Sequence, residues 1–146
     1  VETYDVGHLP DPLRLDAYDA VLIGGSVHMG KHSPKLEQFV LDHRESLQHV
    51  PSAFFSVSLS AAGTDQQQRE AQQLLDDFLQ RTQWNPIRSQ SLAGALLYRE
   101  YNFIKRWLMR RVMKQTRGEA DSSRNYDYTD WRAVNRFVDG FLNELP

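Results

Sequence analysis

The sequence predicts an α/β fold built on a doubly wound parallel sheet. Two observations carry this. Short apolar or alternating runs of strand length recur along the chain, and stretches of helical periodicity separate them. Strands that alternate with helices pair in parallel, through right-handed crossovers.

Taken in order, Val1-Glu2-Thr3-Tyr4-Asp5-Val6 alternates and reads as a first strand. A loop with Pro10 and Pro12 follows. Ala20 to Ile23 is a continuous apolar run, as expected of a strand covered on both faces. It ends in Gly24-Gly25-Ser26. Ser33-Pro34 combines an N-cap residue with proline at the first helical position. Leu36, Phe39 and Val40 then mark a helix running to about Gln48. After Pro51, Ala53 to Leu59 reads as a strand. Thr64 with Gln67 is a capping-box signal, and Ala71, Leu74, Leu75, Phe78 and Leu79 form one helical face. Asn85-Pro86 breaks that helix, and Ile87 to Leu96 is the next strand. Tyr101 to Gln115 has helical character with apolar residues on all sides, and Arg117 to Tyr126 is polar loop. Thr129 is expected to cap a last helix striped by Trp131, Val134, Phe137, Val138, Phe141, Leu142 and Leu145.

Composition narrows the function. The 146 residues suit one domain, and 40% hydrophobic with 25% charged residues is ordinary for a soluble globular chain. With no cysteine, disulfides, thiol catalysis and Cys-ligated clusters are excluded, and a cytoplasmic location is the simplest expectation. A net charge of −2 argues against nucleic acid as a partner. The charge is uneven. Arg99 to Arg117 holds seven basic residues and one acid, so +6 sits there and −8 elsewhere. Lys105, Arg106, Arg110, Arg111 and Lys114 are interleaved there with Phe103, Ile104, Trp107, Leu108 and Met109. Such mixing suits a partner with an apolar body and an anionic rim, or an anionic membrane surface. Charges on an ordinary solvated helix face are the alternative.

Open parallel sheets bind ligands beyond the carboxyl ends of their strands. Three such ends are readable: Gly24-Gly25-Ser26-Val27-His28-Met29-Gly30, Ser58-Leu59-Ser60-Ala61-Ala62-Gly63, and Ala93-Gly94-Ala95-Leu96. Glycines in the first end and small residues in the other two let backbone approach a planar ligand. No Gly-x-Ser-x-Gly elbow surrounds Ser58 or Ser60, which disfavours a hydrolase. His28 and His32 share a loop, but no nearby acid completes a metal set, so no metal site is expected.

Tyr18-Asp19-Ala20-Val21-Leu22-Ile23-Gly24-Gly25-Ser26-Val27 resembles the third-strand motif of flavodoxins. Pro51 to Val57, Gln83 to Pro86, Ala93 to Tyr98, Met113-Lys114, Gly118 to Asp121 and Tyr128 to Trp131 resemble the menaquinone-dependent protoporphyrinogen oxidases. Plain flavodoxins have no segment matching Tyr101–Tyr128. The resemblance implies a flavodoxin-like domain over residues 1–146, with 99–128 as an added basic segment. It implies bound FMN and oxidation of protoporphyrinogen IX to protoporphyrin IX, with electrons passed to a quinone. Ser26, Val27, His28, Met29 and Gly30 would flank the isoalloxazine. Ser58, Leu59, Ser60 and Ala61 would follow its pyrimidine edge, with Gly94, Ala95 and Leu96 close by. Lys105, Arg106, Trp107, Arg110, Arg111 and Lys114 would meet substrate or the inner face of the cell membrane.

The resemblance also exposes a gap. The family's first strand, phosphate loop and first helix have no counterpart before Val1. In the strand order 2-1-3-4-5, the missing strand would separate Val1–Val6 from Ala20–Ile23. The chain is thus expected to be N-terminally incomplete, needing an upstream segment, a partner's strand or a rearranged sheet. A flavodoxin-type electron carrier and an FMN-dependent quinone reductase without porphyrin specificity are the alternative functions. The basic segment disfavours a carrier, which would present an acidic rim. A cofactor-free receiver module would need acids where Ser26 and Ser58 stand. An oligomer is compatible with the sequence.

Overall fold

The computed structural model describes residues 1–94 and 130–146. In these residues three parallel strands, β1 (Val21–Ser26), β2 (Ser52–Ser58) and β3 (Arg88–Ala93), lie in the order β1-β2-β3. Helices α1 (Pro34–Asp42) and α2 (Arg44–His49) connect β1 to β2, α3 (Asp65–Thr82) connects β2 to β3, and α4 (Trp131–Asn143) closes the chain.

The central strand shows why the sheet is parallel and covered. β2 reads Ser-Ala-Phe-Phe-Ser-Val-Ser and six of its seven residues are buried. Side chains alternate across a strand. Phe54 points into a core with Ile23, Leu36, Val40, Leu47, Leu75, Phe78 and Trp84 beneath α1 to α3. Ala53 meets Phe137, Val138 and Phe141 of α4, with Phe55 packed against them on that side. Helices therefore cover both faces, as the apolar run predicted.

Local signals explain the helices. Thr64 accepts from the Gln67 amide at 3.3 Å and Gln67 Oε1 accepts from the Thr64 amide at 2.9 Å, completing the capping box. The face of α3 predicted from periodicity is the packed one, with Ala71, Leu75 and Phe78 buried. The indole N–H of Trp84 donates to Ser52 Oγ at 3.0 Å, and that hydroxyl donates to the Leu47 carbonyl at 3.2 Å. These bonds tie the loop after α3 and the end of α2 to the start of β2.

Several expectations need correction. Val1–Val6 forms no strand. Alternation marks a strand only where another strand's backbone accepts it, and this segment instead turns at Asp5. There the carboxylate accepts from the Gly7 amide at 2.7 Å and the carbonyl from the His8 amide at 2.8 Å. Tyr4 and Tyr18 share a hydrogen bond of 3.2 Å, and Tyr18 donates to Glu2. The single helix expected from Ser33 to Gln48 is two. His43 breaks it, with φ −109° and ψ 13°, while its Nδ1 bonds the Phe39 carbonyl at 2.9 Å. Ser33 stands at the N-cap position of α1, but its hydroxyl makes no capping bond. Of the strand expected over Ile87–Leu96, β3 takes up Arg88–Ala93, and Ala95 and Leu96 lie outside the described residues. The last helix is capped by Asp130, not Thr129, and its carboxylate accepts from the Ala133 amide at 3.0 Å. The helix and loop expected between Tyr101 and Tyr126 lie outside the described residues.

Candidate functional site at the carboxyl edge of the sheet

Parallel register brings the three predicted strand ends to one edge. Ser26 pairs with Val57, and Ser58 pairs with Ala93. The Val27 amide continues the ladder to Val57 O at 2.9 Å, and the Gly94 amide to Ser58 O at 3.1 Å. Ser26, Ser58 and Gly94 therefore sit on neighbouring strand ends, as the sequence reading required.

The first loop leaves β1 through a two-residue hairpin turn. His28 and Lys31 exchange both backbone hydrogen bonds, at 2.9 and 3.1 Å. Met29 and Gly30 between them have φ 51° and 74°. Two central residues with positive φ define the tight I′ hairpin turn, where glycine, asparagine and aspartate are usual. Gly30 meets that demand; Met29 does not, and its side chain is fully exposed at the tip. Behind it, Ser26 Oγ and His28 Nε2 share a hydrogen bond of 3.1 Å.

The second loop is a short turn, Ser60–Ala62. Ser58 Oγ accepts from the Ala61 amide at 3.3 Å, which folds the loop back over the strand end. Leu59 is 60% exposed beside it. In the third loop Gly94 is buried and has φ 157°. Ala95 and Leu96, and the basic-segment residues Lys105, Arg106, Trp107, Arg110, Arg111 and Lys114, lie outside the described residues.

Two features escaped the sequence reading. The Asp130 amide donates to Ala93 O at 3.3 Å, which places the start of α4 beside the end of β3. Asp130, an N-cap residue type directly before the Trp131 stripe, was the available signal, one position after the Thr129 that the reading chose. The second is the separation of the two loop histidines. His28 is exposed, whereas His32 is 6% exposed and bonded to Ser56 Oγ of β2 at 2.8 Å. Its ring lies 4.9 Å from Phe78 and 5.7 Å from Phe54. Burial, and secondarily Arg81, hold its pKa below the ordinary histidine value, against an opposing pull from Glu37. Among the described residues no three His, Cys, Asp or Glu side chains gather to hold a metal.

Chemically the edge is neutral and small. Ser26, Val27, Met29, Gly30, Ser58 to Ala62 and Gly94 bring no carboxylate, and His28 is the one titratable side chain beside them before Lys31. Such an edge can hold a flat heterocycle through backbone groups and hydroxyls; it is poorly equipped for acid–base work.

A family model described as a flavodoxin domain matches residues 1–123. The chain belongs to the flavodoxin-domain family. A flavin is the cofactor class that this membership implies. Among curated relatives, the protoporphyrinogen IX dehydrogenase (quinone) of Leishmania major is 40% identical over 124 residues. That alignment takes in 85% of this chain and 54% of the relative. The protein of the same name from Escherichia coli strain K12 is 36% identical over 134 residues, 92% of this chain and 74% of the relative. The chain thus spans about half the length of the first relative and three quarters of the second. No solved structure matches the chain significantly. Among the described residues, no helix is long and apolar enough to cross a membrane.

Proposed function

We propose that this domain holds FMN at the carboxyl edge of its sheet and works in the oxidation of protoporphyrinogen IX to protoporphyrin IX, with a quinone as electron acceptor. The observation that carries the reading is the convergence of three small, neutral strand-end loops in register in a flavodoxin-domain chain. The names of the two relatives supply the substrate class.

The residues fit a flavin. Ser26 to Gly30 would flank one side of the ring system, Ser58 to Ala61 would offer amides and hydroxyls to its polar edge, and Gly94 would allow close approach. Ala95 and Leu96 would continue the third loop. When bound, the flavin supplies the redox chemistry, accepting electrons from the porphyrinogen and passing them on to the quinone. The chain's own work is to bind, to orient and to exclude water. Met29 and Leu59, exposed on adjacent loops, offer apolar surface to a macrocycle or a quinone ring.

Substrate and membrane contact are assigned to Lys105, Arg106, Trp107, Arg110, Arg111 and Lys114 on composition. Each basic residue near an anionic surface contributes about 1 kcal/mol. Replacing Arg106, Arg110 and Arg111 with glutamate should leave flavin content normal. Binding to anionic vesicles and porphyrinogen oxidation should both fall and lose their salt sensitivity. Unchanged values of both would remove this segment from the reading. The purified protein supplied with FMN should show a flavin spectrum shifted from free FMN. A protein that reduces quinone but leaves porphyrinogen untouched would be a quinone reductase instead.

A further inference from the structure

His32 is the one buried histidine among the described residues, and no step of the proposed function uses it. It stands one residue after Lys31, which closes the hairpin turn carrying Met29, and one before Ser33, where α1 begins. Its ring is held from every side. Ser56 and Phe54 contact it from β2, and Phe78 from α3. Across it on β1 is Gly25, where an added Cβ would lie 3.3 Å from the imidazole and 2.5 Å from Leu36. We propose that His32 is a positioning residue: anchored on Ser56, it fixes the returning arm of the turn after β1, and through that turn it sets flavin affinity. The inference rests on the flavin reading of the strand-end loops.

The chemistry makes the anchor conditional. A neutral imidazole shares one hydrogen bond with a serine hydroxyl comfortably in an aromatic pocket. A protonated one needs counter-charge there. The charged groups that act on it are Arg81 on α3 and Glu37 on α1. They are already paired with each other at 3.3 Å. β1 and β2 face it with Gly25, Phe54 and Ser56, none of which carries charge. Protonation therefore favours expelling the ring into water, and the turn moves with it.

The test titrates FMN into the purified protein at pH 8 and pH 5, following flavin fluorescence, for wild type, His32→Gln, Ser56→Ala and the exposed control His49→Gln. FMN's own phosphate titrates in this range, so the comparison between variants is the readout. Wild type and His49→Gln should lose roughly tenfold more affinity on acidification than His32→Gln. Ser56→Ala should bind several-fold more weakly at pH 8. A His32→Gln protein with the wild-type pH dependence, or a Ser56→Ala protein with wild-type affinity, would overturn the proposal. Amide exchange without flavin gives a second readout. The His28 and Lys31 amides, which close the turn, should lose protection at pH 5 in wild type but not in His32→Gln. Protection that is equal in both would also overturn it. Failure of all variants to bind FMN while the protection pattern holds would remove the flavin reading and leave His32 as the anchor of the turn.

Discussion

Met29 and Gly94 occupy backbone positions that ask for special residues, and only one of them has the residue the position prefers. At φ 51° a methionine bears the left-handed penalty, and its exposed side chain recovers nothing by packing. Met29→Asn should therefore raise stability by about 0.5–1 kcal/mol in a urea titration. Gly94 has φ 157° and is buried beside Ser58. Gly94→Leu should release flavin with the other loops intact; full occupancy with an unchanged spectrum would take the third loop out of the site. His32 gives a pH dependence whose sign follows from its lowered pKa. The unfolded chain binds a proton near pH 6.5 and the folded one only at lower pH. Stability is then fully present above about 6.5 and declines as pH falls from there through the folded value. His32→Gln should flatten that part of the stability–pH curve, and an unaltered curve would contradict the assignment.

Elements repeat the lesson that local patterns are legible where the whole explanation is local. The Thr64–Gln67 box, the apolar face of α3 and the apolar run that leads into β1 needed only spacing, and each stands where the sequence put it. The misses needed tertiary partners. Val1–Val6 has strand alternation but no strand to pair with among the described residues, so its backbone turned at Asp5 instead. His43 interrupts the helix with its backbone at φ −109° and ψ 13°, a break that no periodicity reveals. Asp130 caps α4 with its carboxylate while its amide reaches Ala93 O, a partner distant in sequence. Asp130→Ala should cost about 1 kcal/mol as a lost cap, read by chemical denaturation. Ser52→Ala strands the buried Trp84 indole and should cost about 1–3 kcal/mol. A neutral outcome there would mean that the indole finds another acceptor.

On the scale of the molecule, the sequence showed which edge of the sheet to examine but not how its loops divide their labour. The three small-residue ends converge because parallel strands point the same way, a consequence of topology that strand–helix alternation already contains. That His28 faces out while His32 is locked behind it depends on Ser56, 24 residues on in the neighbouring strand, and could not be read from their shared loop. The separation of charge, +6 in Arg99–Arg117 against −8 elsewhere, remains a property of the sequence alone. The central claim joins the fold to a chemistry, and one measurement reaches it most directly. Purified protein loaded with FMN is mixed anaerobically with protoporphyrinogen IX and a quinone, and the fluorescence of protoporphyrin IX is followed. Porphyrin should form only when both FMN and quinone are present, and Gly94→Leu should abolish it. Flavin bound at this edge with no porphyrin formed above the quinone-free control would contradict the account.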